Sequence, residues 1–270
     1  MNPKNVAREL GTILREFSAH PVQVAKVLPD EWKQRFGTTP WTESDFDDDW
    51  YEHLHDQLGA PWPCPDAERL RGLLADIGEL LTAKGLGTGR HTYGWYSDAD
   101  VELCSAIWCA ARHIQPSVVI ETGVAHGISS RIVLEALTQN DAGHLWSIDL
   151  PHPLNHKLHG TTGVAVTEPF RSRWTYLEGE SQRRLPPLIA EVGKVELFIH
   201  DSLHTAKNTL FEMEQAASIM PPGGVMLVDD IRGHDGFGTF ARRHPEFKTM
   251  LCSTADRLAG FGIAFCTGRA

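Results

Sequence analysis

The chain has 270 residues, 41% of them apolar, and sets 25 basic against 35 acidic side chains for a formal charge of −10. That length accommodates one large α/β domain with an appended segment. The acidic balance excludes a general nucleic-acid binder, which needs a basic face to neutralise phosphates, and no apolar run reaches the length of a membrane span.

Val6, Leu10, Ile13, Leu14 and Phe17 follow the helical period, so an amphipathic helix opens the chain and offers a surface suited to a homodimer contact. Arg8, Glu9 and Arg15 interrupt the apolar region a signal peptide would need, and the five cysteines form no CxxC pair. Both observations predict a cytoplasmic protein with reduced thiols, in which Cys104, Cys109 and Cys266 act as small core residues. From Pro21 to Pro65 no period is readable. This stretch carries Trp32, Trp41, Trp50 and Trp62 and the acidic run Glu43 to Asp49. It reads as a solvated loop face or as a lid whose tryptophans close over a substrate.

Leu70, Leu73, Leu74, Ile77, Leu80 and Leu81 restore the helical stripe, with Lys84 and Gly85 as its stop. Ser97 and Asp100 read as a capping pair for a helix through Val101, Cys104, Ile107, Trp108 and Ala111. Pro116 then leads into VVIETGVAHGISS, Val118 to Ser130. A β-branched run, a turn with Gly123 and Gly127, and a helix start with Ser129 and Ser130 make a pocket of the nucleotide type. Further strands are predicted up to Asp149, over Trp174 to Leu177, Val195 to Ile199 and Val225 to Val228, with weaker candidates at Phe247 to Cys252 and Phe261 to Cys266. Strands alternating with helices imply a mostly parallel, doubly wound sheet.

Ligands of such sheets bind at the carboxyl ends of the strands, and Glu121, Asp149, Asp201, Asp229 and Asp230 all fall there. Acids converging in this way imply bound cations and ligand hydroxyls, or else strong mutual repulsion. Asp149 stands where a ribose-binding acid belongs, which permits a nicotinamide cofactor. However, Ala125 replaces the middle glycine of a GxGxxG-like spacing, and an acid at Glu121 would repel a pyrophosphate. The acid suits a ligand with positive charge, such as the amino group and sulfonium of S-adenosylmethionine (SAM). HPLNHKLH holds His152, His156 and His159 but lacks the cysteines and regular frame of a zinc site, and reads as a polar loop.

ETGVAHGISS, SIDL and GES together resemble the motifs of class I SAM-dependent methyltransferases. That resemblance implies a Rossmann-like, seven-stranded sheet, with residues 1–96 as a helical and loop-rich cap, lid or dimerisation segment and 97–270 as the methyltransferase domain. It also implies that Glu121, Gly123, Gly127 and Ser129 cradle the methionine part, Asp149 the ribose, and Glu180 with Ser181 the adenine. FIHDSLHTAKNTLFEME and PPGGVMLVDDI look like the metal-dependent O-methyltransferases of sugars and related small molecules, where FIDGDHSY is typical and Leu203 here replaces the second acid. By that likeness Asp201, Asp229 and Asp230 hold Mg²⁺ or another divalent cation, and His204 is the general base. The activity expected is methylation of a small-molecule hydroxyl, of natural-product or sugar type. A nicotinamide-dependent oxidoreductase and a non-catalytic cofactor-binding protein are the alternatives.

Overall fold

The computed structural model describes residues 41–268 except 90–91, 94–95, 151, 153–155, 256 and 258. The amphipathic helix expected over Val6 to Phe17, and Trp32 and Trp95, lie outside the described residues. In chain order the elements are α1 (Trp50–Leu58), α2 (Ala67–Ala83), α3 (Val101–Ile114), β1 (Val118–Thr122), α4 (Ile128–Gln139), β2 (His144–Asp149), β3 (Trp174–Glu178), α5 (Ser181–Val192), β4 (Leu197–His200), α6 (Ala206–Ala217), β5 (Val225–Val228), α7 (Gly236–Arg243), β6 (Phe247–Ser253) and β7 (Gly260–Cys266). The seven strands form one sheet in the order β3-β2-β1-β4-β5-β7-β6. All neighbouring pairs are parallel except β5 with β7 and β6 with β7. This is the doubly wound α/β architecture expected, closed at one edge by an antiparallel hairpin.

Alternation along the strands divides one apolar run between two cores. Val119, Leu197, Ile199, Val225 and Leu227 point to the face covered by α1 to α4. Ile120, Phe198, Met226 and Val228 point to the face covered by α5 to α7. All nine are essentially inaccessible, which is why the strands read as unbroken apolar runs. Each such side chain contributes about 1.5–3 kcal/mol on burial. Strand order reverses about β1, whose neighbours are β2 and β4, so ligands are expected at the carboxyl end beside that switch point.

Local expectation and structure part in four places. The unpatterned stretch before Pro65 contains α1, whose inward stripe is only Trp50 and Leu54 with His55 between acids and amides. Trp50 lies edge-on to Phe261 at 5.0 Å and is a core residue rather than part of a lid. The helix after Ser97 begins only at Val101, with Asp100 as its N-cap residue. α5 and α7 are not legible in the sequence, the former because Pro186 and Pro187 sit inside it. The stop at Lys84 and Gly85 and the burial of Cys104, Cys109 and Cys266 follow the sequence pattern, and Cys64 and Cys252 are buried as well.

Candidate active site

The turn between β1 and α4 is built around a buried acid. Glu121 is fully enclosed, and its two oxygens accept the hydroxyls of Ser129 (2.6 Å), Ser130 (2.5 Å) and Ser147 (2.7 Å). Its carboxylate therefore shapes the turn from beneath, and the Ser129 hydroxyl is spent on it. Gly123 and Gly127 both have left-handed backbones, at φ 86° and 84°. A Cβ on Gly123 would lie 1.9 Å from the Asp201 carbonyl oxygen, and one on Gly127 would lie 2.9 Å from Gly163 Cα. Close approach of backbone to backbone is what both glycines permit. Ala125, in the place of the middle glycine, accepts φ 45°. The segment after Thr162 clamps this turn: Gly163 N–H donates to the Ala125 carbonyl (2.8 Å) and Ala165 N–H to that of His126 (2.9 Å).

Asp149, at the end of β2, accepts the N–H groups of Val124 (3.2 Å) and Ala125 (3.1 Å) on one oxygen. Burial raises its carboxyl to about 6 against the pull of those amides. Tyr93 is buried edge-on to His126 of the turn at 5.1 Å, and His152 stands against both Tyr93 and Tyr96. Glu180 is the N-cap residue of α5, partly exposed and 3.0 Å from Arg183. Ser181, next to it, is the first residue of α5, and its hydroxyl helps to lower the Glu212 pKa.

Burial also moves Glu121 up, from an ordinary 4.5 to about 7, in spite of its three hydroxyl donors. A raised carboxyl pKa means that the folded chain keeps a proton the unfolded chain has released between these values. Stability from this group is thus full below pH 4.5 and lost as pH rises through 7, by about 3 kcal/mol at most. Glu121→Gln is expected to flatten that part of the profile. Urea unfolding at pH 5 and pH 8 checks it: an unchanged difference between wild type and variant would contradict the burial argument.

On the other side of β1, the ends of β4 and β5 bring Asp201, His204 and Asp229 together. One ligand-type atom from each lies within 4.8 Å of the others. His204 Nε2 is 3.6 Å from Asp201 Oδ1 and 3.9 Å from Asp229 Oδ2, while its Nδ1 is 3.4 Å from Asp230 Oδ2. Asp230 thus reaches the group through the far nitrogen of the ring, from a left-handed backbone at φ 54°. Burial by itself would lower the His204 pKa, but bonds to Asp201 and Asp230 and the charges of Asp230 and Asp229 outweigh it and raise it well above 6.5. Asp229 is pushed well up by burial and then by the charge of Asp201.

Below this group lies a polar assembly that sequence reasoning missed. Glu212, buried in α6, accepts from Thr122 Oγ1 (2.5 Å), His200 Nδ1 (2.6 Å), Ser202 Oγ (2.8 Å) and Asn208 Nδ2 (2.9 Å). Burial opposes its ionisation, yet His200 and the hydroxyl donors win and hold it at about 2. These bonds tie the ends of β1 and β4 to α6 and fix the loop bearing Asp201 and His204. The readable signal was Asn208 and Glu212 four apart on the inward side of a helix. His234 is buried in the same region, where it meets the Thr209 hydroxyl at 3.4 Å, accepts the Gly236 N–H at 3.1 Å and is pushed down to about 4 by burial.

Residues 120–231 match the model of a family described as a methyltransferase domain. The chain carries a methyltransferase domain. The matched span contains both the glycine turn and the acid–histidine group. The methyltransferase fold extends beyond it, as three solved structures show. One is TomG, an O-methyltransferase from Streptomyces achromogenes involved in tomaymycin synthesis and solved with SAM: identity is 16%, coverage 73% of this chain and 90% of that one, TM-score 0.54. An O-methyltransferase from Bacillus cereus in complex with SAH is 15% identical over 84% of this chain and 98% of that one, TM-score 0.52. SAH-bound Podospora anserina methyltransferase PaMTH1 is 14% identical over 77% and 98%, TM-score 0.52. At these identities the likeness is one of fold. No curated protein matches the sequence. Among the described residues, no helix is long and apolar enough to cross a membrane.

Proposed function

We propose that the protein transfers the methyl group of SAM to a hydroxyl of a small molecule, with a divalent cation and His204 acting on the acceptor. The observation that carries this reading is the contact between the two halves of the site: Gly123 of the turn packs on the Asp201 carbonyl, so the acid–histidine group adjoins the proposed cofactor site. Gly123 and Gly127, shaped by Glu121 and Ser129, would receive the methionine part, Asp149 the ribose, and Glu180 with Ser181 the adenine. Leu150 and Leu203, large and exposed, follow Asp149 and Asp201 and suit an acceptor with an apolar body. Residues 1–96 are proposed as a cap or dimerisation segment on a domain spanning 97–270.

Asp201 and Asp229 fit a hard cation, because two carboxylates held this close and both largely shielded from solvent repel each other without one. When bound, Mg²⁺ would supply Lewis-acid stabilisation of the acceptor oxygen. Asp230 belongs to the strand-end pair in sequence, but its position on Nδ1 suits a positioning acid that aims Nε2 of His204 at the acceptor. The acceptor oxygen attacks the methyl carbon, the carbon–sulfur bond breaks with its electron pair going to sulfur, and the hydroxyl proton passes to His204 Nε2. His204 can take that proton only when the charges of Asp201 and Asp229 are compensated, so base and cation stand together in one proposal. Calorimetry with SAM and SAH tests the cofactor half: binding of both is expected, and none at millimolar ligand would sink the reading. Full turnover of an identified acceptor after chelation would remove the cation and leave methyl transfer.

A further inference from the structure

A second group of metal-ligand side chains lies on the face of the sheet covered by α1 to α4, among residues that the methyl-transfer reading does not use. His55 of α1, Cys64 of the loop before α2, and Cys109 and His113 of α3 each present a nitrogen or sulfur within 4.8 Å of the other three. Cys109 and His113 are four apart on one helix and so share a face. Cys64 and Cys109 are free thiols with their sulfurs 3.7 Å apart. Two sulfurs on a tetrahedral zinc, each about 2.3 Å from the ion, are about 3.8 Å apart. His55 Nε2 stands 3.0 Å from Cys109 Sγ, and its Nδ1 is 2.7 Å from the Pro61 carbonyl. A ring nitrogen held by a backbone carbonyl is how metal-bound histidines are oriented, with the other nitrogen left for the ion.

The surroundings argue for an ion over a purely hydrogen-bonded core. His55, Cys64 and Cys109 are buried, and His113 Nε2 is enclosed with no hydrogen-bond partner among the described residues. Burying an imidazole nitrogen without a partner costs free energy that a metal ligand does not incur. The rings of Tyr51 and Trp62 close the outer side, with centroids 5.3 Å and 5.2 Å from that of His55. The ligands come from α1, the loop that follows it and the distant α3, so an ion would tie α1 and the Cys64 loop to α3, which packs directly on the sheet. Two thiolates and two imidazoles in this arrangement select zinc over the hard cation suited to Asp201 and Asp229.

We propose that His55, Cys64, Cys109 and His113 form a structural zinc site that fastens the segment before α2 to the methyltransferase domain. The site is independent of the catalytic proposal, and a closed set of four protein ligands leaves no position for substrate. The test uses the full chain purified under reducing conditions, with elemental analysis as isolated and after zinc reconstitution. One zinc per chain is expected, retained in Asp201→Asn and lost from Cys64→Ser. Wild-type protein loaded with Co²⁺ gives a readout that needs no variant: thiolate-to-cobalt charge transfer with tetrahedral ligand-field bands is expected, and stripping the metal should lower Tm. Absence of stoichiometric zinc after reconstitution, octahedral cobalt spectra, a Cys64–Cys109 disulfide in the isolated protein, or zinc unchanged in Cys64→Ser would each overturn the proposal.

Discussion

His204→Ala is expected to lower kcat for methyl transfer by ~10²–10⁴-fold, the usual worth of a positioned general base, with affinity for SAM unchanged. The ring lies between Asp201 and Asp229 on one nitrogen and Asp230 on the other, and makes no contact of its own with Gly123, Gly127 or Asp149 among those ion pairs. Removing it takes away a proton acceptor without disturbing Gly123, Gly127 or Asp149. Asp230→Asn keeps an oxygen near Nδ1 and loses the charge, so a smaller loss is expected, about 10–100-fold, as for outer partners of catalytic histidines. Steady-state kinetics with an identified acceptor, paired with SAM calorimetry, separates the outcomes. Wild-type kcat in His204→Ala would remove the base assignment. Loss of SAM binding in that variant would show that the histidine serves the fold of the site rather than proton transfer.

Gly123→Ala carries the largest expected structural effect. The added Cβ would lie 1.9 Å from the Asp201 carbonyl oxygen and 2.4 Å from its carbon, and neither atom belongs to a side chain that can swing away. The left-handed backbone at φ 86° adds its own penalty of about 1–2 kcal/mol. A destabilisation of about 4 kcal/mol or more is expected, in the range reserved for direct backbone conflict, together with loss of SAM binding. Gly193→Ala separates the two contributions, because Gly193 has φ 68° and a Cβ there would meet nothing within 4 Å; at that position only the dihedral penalty of about 1–2 kcal/mol should appear. Urea unfolding of both variants provides the comparison. Equal losses would mean that the approach of β1 to the Asp201 loop is not as tight as these distances.

Much of the fold was legible because its signals are local. The β-branched run at Val118 to Ile120, the VMLV strand ending in Asp229 and Asp230, and the leucine stripe of α2 each lie within a few residues, where period alone decides helix from strand. α1 escapes such reading because WYEHLHDQL has only Trp50 and Leu54 as fully buried apolar residues, beside the buried His55, and its stability comes from contact with Phe261 and the neighbouring core. Two prolines disguise α5 in the same way. Glu121 and Asp201 look alike as strand-end acids, yet one is enclosed by three hydroxyls and the other faces His204.

By itself the sequence determined the doubly wound sheet, the position of the glycine turn and the alignment of acids with strand ends, since apolar period and turn chemistry act over short stretches of chain. Only the tertiary structure decided what those acids touch. It turned Glu121 inward, set Asp230 on the far side of His204, placed Glu212 beneath the Asp201 loop, and gathered His55, Cys64, Cys109 and His113 from three segments. Such convergence depends on how helices pack on the sheet, and spacing along the chain records it only within single helices, as for Cys109 with His113 or Asn208 with Glu212.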